Sequence, residues 1–426
     1  MTDSVEHTEQ LVATVLFQLA VIILCARAAG AAAAAVRQPR AVGEIIAGLL
    51  LGPSFFGALF PELSATVFPE NAGEAVMILS QIGLTLLMFQ IGADFEFGHL
   101  GDFRNRRAVI LVSAASVAAP LGTGYALGRV TAPILAPEIY ATAYSLFIAV
   151  AFAITAVPIL GRILREYGLT RDRIGVIAIS AAAANDVVGW ILLASIASFA
   201  SNVYSPVATA IQVGGLVLLA AALRFAGPPL VNSLLRKFPI AVSAVSSPLM
   251  AIVLSMIFVM GVTTEALGIF TIFGGFLFGL LFHRHTAFVD AWRKQVGQFT
   301  LVFFLPIFFT YTGLRTNVLG LDSTADWIWC VVILIAATVS KFVPVRIAAK
   351  IAGLSAADSA IIGVLMNTRA LMELIVLNIG LSLGVIPQDV FTILVIMAIG
   401  TTIMTGPLLQ WLLPRAGYAA SRDSEA

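Results

Sequence analysis

The chain has 426 residues, of which 60% are hydrophobic and only 11% charged. Soluble domains carry about 25% charged residues, so the composition excludes a soluble globular protein and leaves a polytopic membrane protein with almost nothing over for a soluble domain. The formal charge of +1 gives no footing for nucleic acid, and the two cysteines, Cys25 and Cys330, sit in apolar runs and form neither a disulfide framework nor a metal spacing.

The opening residues Asp3, Glu6 and Glu9 are acidic, and no A-x-A cleavage site precedes the first apolar run, so the first span is read as retained. Hydropathy predicts thirteen spans, at 11–32, 42–58, 74–93, 108–128, 142–164, 174–200, 206–225, 245–263, 267–283, 298–314, 326–346, 357–384 and 389–412. After the seventh, Gly227-Pro228-Pro229 reads as a link, followed by a short amphipathic stretch to Pro239. The loops fix the orientation. With the N-terminus outside and the C-terminus in the cytoplasm, only Arg129 and Arg315 of the 24 Lys and Arg fall outside, Lys341 and Arg369 stay within spans, and the rest lie inside.

An odd count has a consequence for symmetry. Spans 1–6 and 8–13 form two six-helix units with span 7 as linker, and the offset of seven helices places matching spans in opposite orientation. That is the inverted-repeat plan of many secondary transporters, whose sites lie at mid-membrane where the repeats meet.

Spans 5 and 12, in matching places, look discontinuous. Span 5 reads Ala153-Ile154-Thr155-Ala156-Val157-Pro158. Pro158 either ends a half-helix, freeing carbonyls for a cation, or makes an ordinary kink. In span 12, Asn367, Thr368, Arg369 and Glu373 cluster inside an apolar run without a proline. Arg369 and Glu373 are four apart and are expected to pair, compensating the half-helix ends where the backbone unwinds.

Span 6 carries Ala181-Ala182-Ala183-Ala184-Asn185-Asp186. A carboxylate at mid-bilayer costs about 3 kcal/mol or more, so Asp186 needs a partner, a proton or a cation. The alanines leave open space one turn back but supply no side-chain oxygen. Asp186 is therefore expected to bind a monovalent cation and a proton in alternation, with Thr155, nearby carbonyls and water completing the ligands; Na⁺ and K⁺ both fit such a site. Lys341 in span 11 is either a lysine snorkelling to the headgroups or a buried amine near Asp186. The histidines, His7, His99, His283 and His285, fall at the N-terminus or in cytoplasmic loops and read as solvated loop residues, with a pH-sensing role for His283 and His285 as the alternative.

Four motifs then resemble a known family. Gly43-Glu44-Ile45-Ile46-Ala47-Gly48-Leu49-Leu50-Leu51-Gly52-Pro53 is similar to the second-span signature of the monovalent cation:proton antiporter-2 family of the sodium/hydrogen exchanger superfamily. Asn185-Asp186 resembles its sixth-span pair, and Phe303-Phe304-Leu305-Pro306-Ile307-Phe308-Phe309 through Gly313-Leu314 its tenth span. Asn367-Thr368-Arg369-Ala370-Leu371-Met372-Glu373 through Gly380 resembles the twelfth, above all in the plant cation/proton exchanger branch.

The resemblance implies an all-α fold of thirteen spans forming a single transporter domain over residues 1–426. Spans 1–3 and 8–10 would be the dimer scaffold, and spans 4–6 and 11–13 the moving ion-transporting core. It implies a homodimer in the cell (inner) membrane serving pH homeostasis. The partners are a monovalent cation, a proton and the bilayer, with no cofactor. Asp186 and Asn185 take the cation- and proton-binding positions, Thr155 is the fifth-span crossing residue, and Lys341 falls where relatives with two adjacent Asp residues have a functional lysine. The chain departs from that pattern: Asn185 replaces the first Asp, Ala370 stands where glycine is common, and the chain stops soon after Pro414, so no cytoplasmic regulatory domain is expected. A lone carboxylate suggests electroneutral one-for-one exchange. A cation channel lacks a repeated carbonyl-filter motif here, a sodium-coupled solute symporter lacks side chains to line a larger polar cavity, and an intramembrane enzyme lacks its catalytic motifs.

Overall fold

The computed structural model describes residues 2–36, 38–69, 73–94, 103–155, 157–169, 172–200, 206–240, 244–267, 270–369 and 371–418. His99, Ala156 and Ala370 lie outside them. The architecture is helical. In chain order come α1 (Thr2–Ala35), α2 (Arg40–Leu50), α3 (Pro61–Val67), α4 (Gly73–Ala93), α5 (Phe103–Leu135), α6 (Ala141–Ala153) and α7 (Val157–Glu166). Then follow α8 (Arg173–Ala200), α9 (Pro206–Lys237), α10 (Ser247–Ala266), α11 (Thr271–Gly279), α12 (Thr286–Trp292) and α13 (Leu305–Leu314). The chain closes with α14 (Thr324–Ile351), α15 (Ala356–Met366), α16 (Leu371–Ser382) and α17 (Gln388–Leu412). Among the described residues, ten helical segments are long and apolar enough to cross a membrane, and Ala141–Ala153 and Thr271–Phe282 are shorter apolar helices.

The expected link at Gly227-Pro228-Pro229 is not a link: α9 runs unbroken to Lys237 with both prolines inside it. A proline removes one helix hydrogen bond and crowds the turn before it, but apolar helices tolerate this where neighbours cover the freed carbonyls. Gly227 lets Leu281 pack closely on α9, since a Cβ there would lie 2.5 Å from the Leu281 side chain. Pro120 and Pro133 likewise sit inside α5, which extends beyond the predicted 108–128 at both ends.

Contacts divide the chain into two compact units. The first comprises Met1–Ala26, Phe55–Glu96 and Asn202–Tyr311. Its core is aromatic: Phe89 packs on Phe278, Phe282, Phe288 and Trp292 at centroid distances of 4.8 to 6.5 Å. Glycines let α4 and α11 approach closely, and a Cβ on Gly279 would lie 2.1 Å from the Phe89 carbonyl oxygen. Arg293 bonds Asp94 at 2.6 Å within this unit.

The second unit comprises Arg27–Ser54, Phe97–Ser201 and Thr312–Ala426. It explains the glycines of the 43–53 motif. A Cβ on Gly43 would lie 2.2 Å from the Ala29 carbonyl oxygen, and one on Gly52 would lie 2.3 Å from that of Gly313. Backbone against backbone is the arrangement that small residues permit and that membrane helices exploit in the absence of a hydrophobic drive between them. In the same unit α14 opens on a capping box between Ser323 and Asp326. Two of the apolar runs of this unit are broken in mid-course, at Ile154–Thr155 and at Asn367–Arg369, and the functional side chains gather at those breaks.

Candidate functional site

The first break begins where α6 stops. Ile154 adopts an extended backbone, with φ −67° and ψ 145°, and α7 restarts at Val157. Pro158 is the second residue of α7, a position where its missing N–H would have had no helical partner in any case. This is a true interruption and not a kink. The second break follows Met366: Asn367, Thr368 and Arg369 connect α15 to α16. Thr155 ties the two together, its hydroxyl donating to the Met366 carbonyl at 3.3 Å.

Interrupting a helix leaves carbonyls without donors at one end and amides without acceptors at the other. Two buried cations serve the carbonyl end of α6. Lys341 Nζ donates to the carbonyls of Ala153 and Ile154, both at 2.6 Å. Arg369 donates to the Ala151 carbonyl at 2.7 Å, to that of Ala337 at 3.2 Å and to Glu373 Oε2 at 3.3 Å, with its guanidinium 5.8 Å from the centre of the Phe152 ring. Arg369, Glu373 and Lys341 are all 0% exposed. Lys341 therefore does not reach for headgroups; its ammonium is spent on the open end of a half-helix. Glu373 lies in the first turn of α16, where a negative charge meets the positive end of the helix dipole. Thr368 shares a hydrogen bond of 3.1 Å with Thr405 of α17.

Asp186 stands opposite, on α8, 3% exposed. Neither of its oxygens has a hydrogen-bond partner among the described residues. The Lys341 ammonium and the Val157 amide, at the N-terminal end of α7, act on it electrostatically without meeting hydrogen-bond geometry. Asn185 reaches the same break: its amide donates to Thr155 Oγ1 at 3.3 Å and to Ser116 Oγ at 2.7 Å, while its Oδ1 is left buried and unpaired. Asn367 Oδ1 is a further buried oxygen without a partner. Unpaired acceptors in a buried site are costly. A buried carboxylate with neither oxygen paired is one that a cation or a proton would satisfy. Ala181, Ala182 and Ala183, on the same helix, are buried.

The structure thus brings Asn185, Asp186, Thr155 and Lys341 to the first break, and Arg369, from the second and paired with Glu373, donates to the Ala151 carbonyl there as well. Reasoning from sequence missed Ser116. Its only signal is a pair of hydroxyls three residues apart, Ser113 and Ser116, in an apolar span. It expected Arg369 to compensate a half-helix end but did not give the end of α6 as the one that Arg369 and Lys341 serve. Of the histidines, His283 Nδ1 lies 2.6 Å from the Leu280 carbonyl oxygen. Partial burial and the neighbouring His283 hold His285 below the usual imidazole range.

Apolar segments that can cross a bilayer, together with charges buried at helix interruptions, define an integral multi-pass membrane protein. The family described as "Sodium/hydrogen exchanger, transmembrane" matches residues 19–415, and the chain belongs to it. This is a family of transporters, not of enzymes. The chain is 33% identical to "Na(+)/H(+) antiporter NhaS4" of Synechocystis sp., over 95% of its own length and 98% of that protein's. It is 30% identical to "K(+)/H(+) antiporter 1" of Saccharomyces cerevisiae, over 94% of this chain but only 46% of that one, so it spans about half the length of the yeast relative. Among solved structures, that of the sodium proton antiporter MjNhaP1 from Methanocaldococcus jannaschii aligns with a TM-score of 0.68 at 13% identity, covering 94% of this chain and 96% of that one, which is a likeness of fold.

Proposed function

We propose that this chain is a secondary-active antiporter that exchanges a monovalent cation, Na⁺ or K⁺, for a proton, with both competing for Asp186. The observation that carries the reading is the buried carboxylate with no hydrogen-bond partner, set at the break between α6 and α7. The names of the relatives, sodium/proton and potassium/proton antiporters, support the same class of transport. Asp186 holds the cation when deprotonated and releases it when a proton arrives. Asn185 and Thr155 lie beside it as candidate ligands. Lys341, Arg369 and Glu373 hold the interrupted helices in place. With Asn185 at the neighbouring position, the site offers one carboxylate for one cation or one proton, so the exchange is electroneutral.

The wider plan belongs to the same proposal: thirteen crossings with the N-terminus outside and the C-terminus in the cytoplasm, inverted repeats of six spans, alternating access, and a homodimer whose scaffold carries the moving core in the cell membrane. Initial-rate measurements in proteoliposomes test the exchange step. Because binding the cation displaces the proton, its apparent affinity falls about tenfold for each pH unit on the acid side. Proton flux insensitive to added Na⁺, K⁺ and Li⁺, or a current reversing with two-for-one stoichiometry, contradicts the proposal.

A further inference from the structure

Ser116 lies on α5 and is 0% exposed. Its hydroxyl has one proton, and that proton goes to the Ser113 carbonyl at 3.0 Å. The oxygen is thereby left only as an acceptor, and it takes an N–H of Asn185 at 2.7 Å. Thr155 repeats the pattern. Its proton goes to the Met366 carbonyl, and its oxygen accepts the Asn185 amide at 3.3 Å. A carboxamide has two N–H donors and one carbonyl oxygen. With both hydroxyl protons committed to backbone carbonyls, neither Ser116 nor Thr155 can donate to Asn185. The side chain has one satisfactory orientation, nitrogen toward the two hydroxyls and Oδ1 away from them. That oxygen is left unpaired in a site where both oxygens of Asp186 are unpaired too.

We infer that Ser116 is a positioning residue of the exchange site, orienting the Asn185 carboxamide so that Oδ1 is presented to the monovalent cation bound at Asp186. The inference rests on the proposed role of Asp186. Without the Ser116 oxygen, one Asn185 N–H loses its acceptor and the carboxamide is free to turn. A turned amide offers hydrogen where the cation needs oxygen, and it can donate to the Asp186 carboxylate in competition with the ion. The proton, which needs no Oδ1, is little affected. The signature is therefore a selective loss of cation affinity, which a merely structural role does not produce.

The test compares wild type, Ser116→Ala, Ser116→Thr and Asp186→Asn in proteoliposomes, measuring proton release against Na⁺ and K⁺ concentration. Thermal melting in detergent is measured alongside. The expected result is an apparent KM for the cation raised about three- to tenfold in Ser116→Ala, the equivalent of one neutral hydrogen bond, with the maximal rate held near wild type. Ser116→Thr, which restores the acceptor, recovers the affinity. Should Ser116→Ala fail to fold, Ser116→Cys, a weaker acceptor of similar size, is expected to raise KM by less and in the same direction. An unchanged KM, a fall in maximal rate at unchanged KM, or a threonine variant no better than alanine overturns the inference. If Asp186→Asn is silent while Ser116→Ala behaves as wild type, this inference alone fails; if Asp186→Asn still exchanges, the reading of the site fails first.

Discussion

Replacing Arg369 separates a bracing role at the helix break from a decorative ion pair. The guanidinium is fully buried, pairs with a fully buried Glu373 and donates to two carbonyls on other helices, those of Ala151 and Ala337. Truncation to alanine strands a buried carboxylate, a change that costs about 3–5 kcal/mol when one partner of a buried pair is removed. It also leaves two carbonyls without their charged donor, each at about 1–3 kcal/mol. The terms overlap, so Arg369→Ala is expected to lose about 5 kcal/mol in all. Adding Glu373→Gln to Arg369→Ala removes the stranded charge and is expected to restore about 2 kcal/mol, within the range of coupling between contacting residues. Reversible unfolding in mixed micelles, titrated with a denaturing detergent and followed by circular dichroism, reads both quantities. An exposed ion pair contributes about 0–1 kcal/mol. If Arg369→Ala stays within that range of wild type, or if the double variant is no more stable than the single one, the bracing role is wrong.

Four further expectations follow. Gly313→Ala places a Cβ 1.9 Å from the Gly48 carbonyl oxygen and is expected to destabilise by about 1–3 kcal/mol or more; wild-type yield and melting on size-exclusion chromatography would refute the close crossing. Lys341→Met removes both donors from the Ala153 and Ile154 carbonyls and is expected to cost about 2 kcal/mol or more, with Lys341→Arg retaining more of the stability in thermal melts; the reverse order would count against this use of the ammonium. His285 favours its neutral form in the folded state, so stability is expected to fall as pH drops through the usual imidazole range and that slope to vanish in His285→Gln. The pH profile of transport is expected to stay in place when both His283 and His285 are replaced by Gln, and a displaced profile would make them sensors.

The apolar runs were legible because each is long and carries few charges. Both breaks were legible as well, by different signals: Pro158 in one, and a polar cluster without proline in the other. The i, i+4 spacing of Arg369 and Glu373 announced their pair. What sequence did not carry were partners far apart along the chain. Nothing near position 341 says that its amine serves carbonyls 187 and 188 residues away. Nothing near Ser116 points 69 residues on to Asn185. The Gly227-Pro228-Pro229 triplet misled for the same reason, since whether a proline breaks an apolar helix depends on what covers the freed carbonyls. The glycines of the 43–53 motif were visible as a pattern, but their purpose, backbone contact with Ala29 and Gly313, is a tertiary fact.

The central claim is that cation and proton compete for one carboxylate. It is tested most directly by proton flux in proteoliposomes on addition of Na⁺, K⁺ or Li⁺, comparing the intact chain with Asp186→Asn. The account predicts cation-triggered proton release from the intact chain, with the responding ion naming the substrate, and a silent variant that reconstitutes and melts like wild type. Exchange by Asp186→Asn at an undiminished rate would make the carboxylate structural and place the transport site elsewhere.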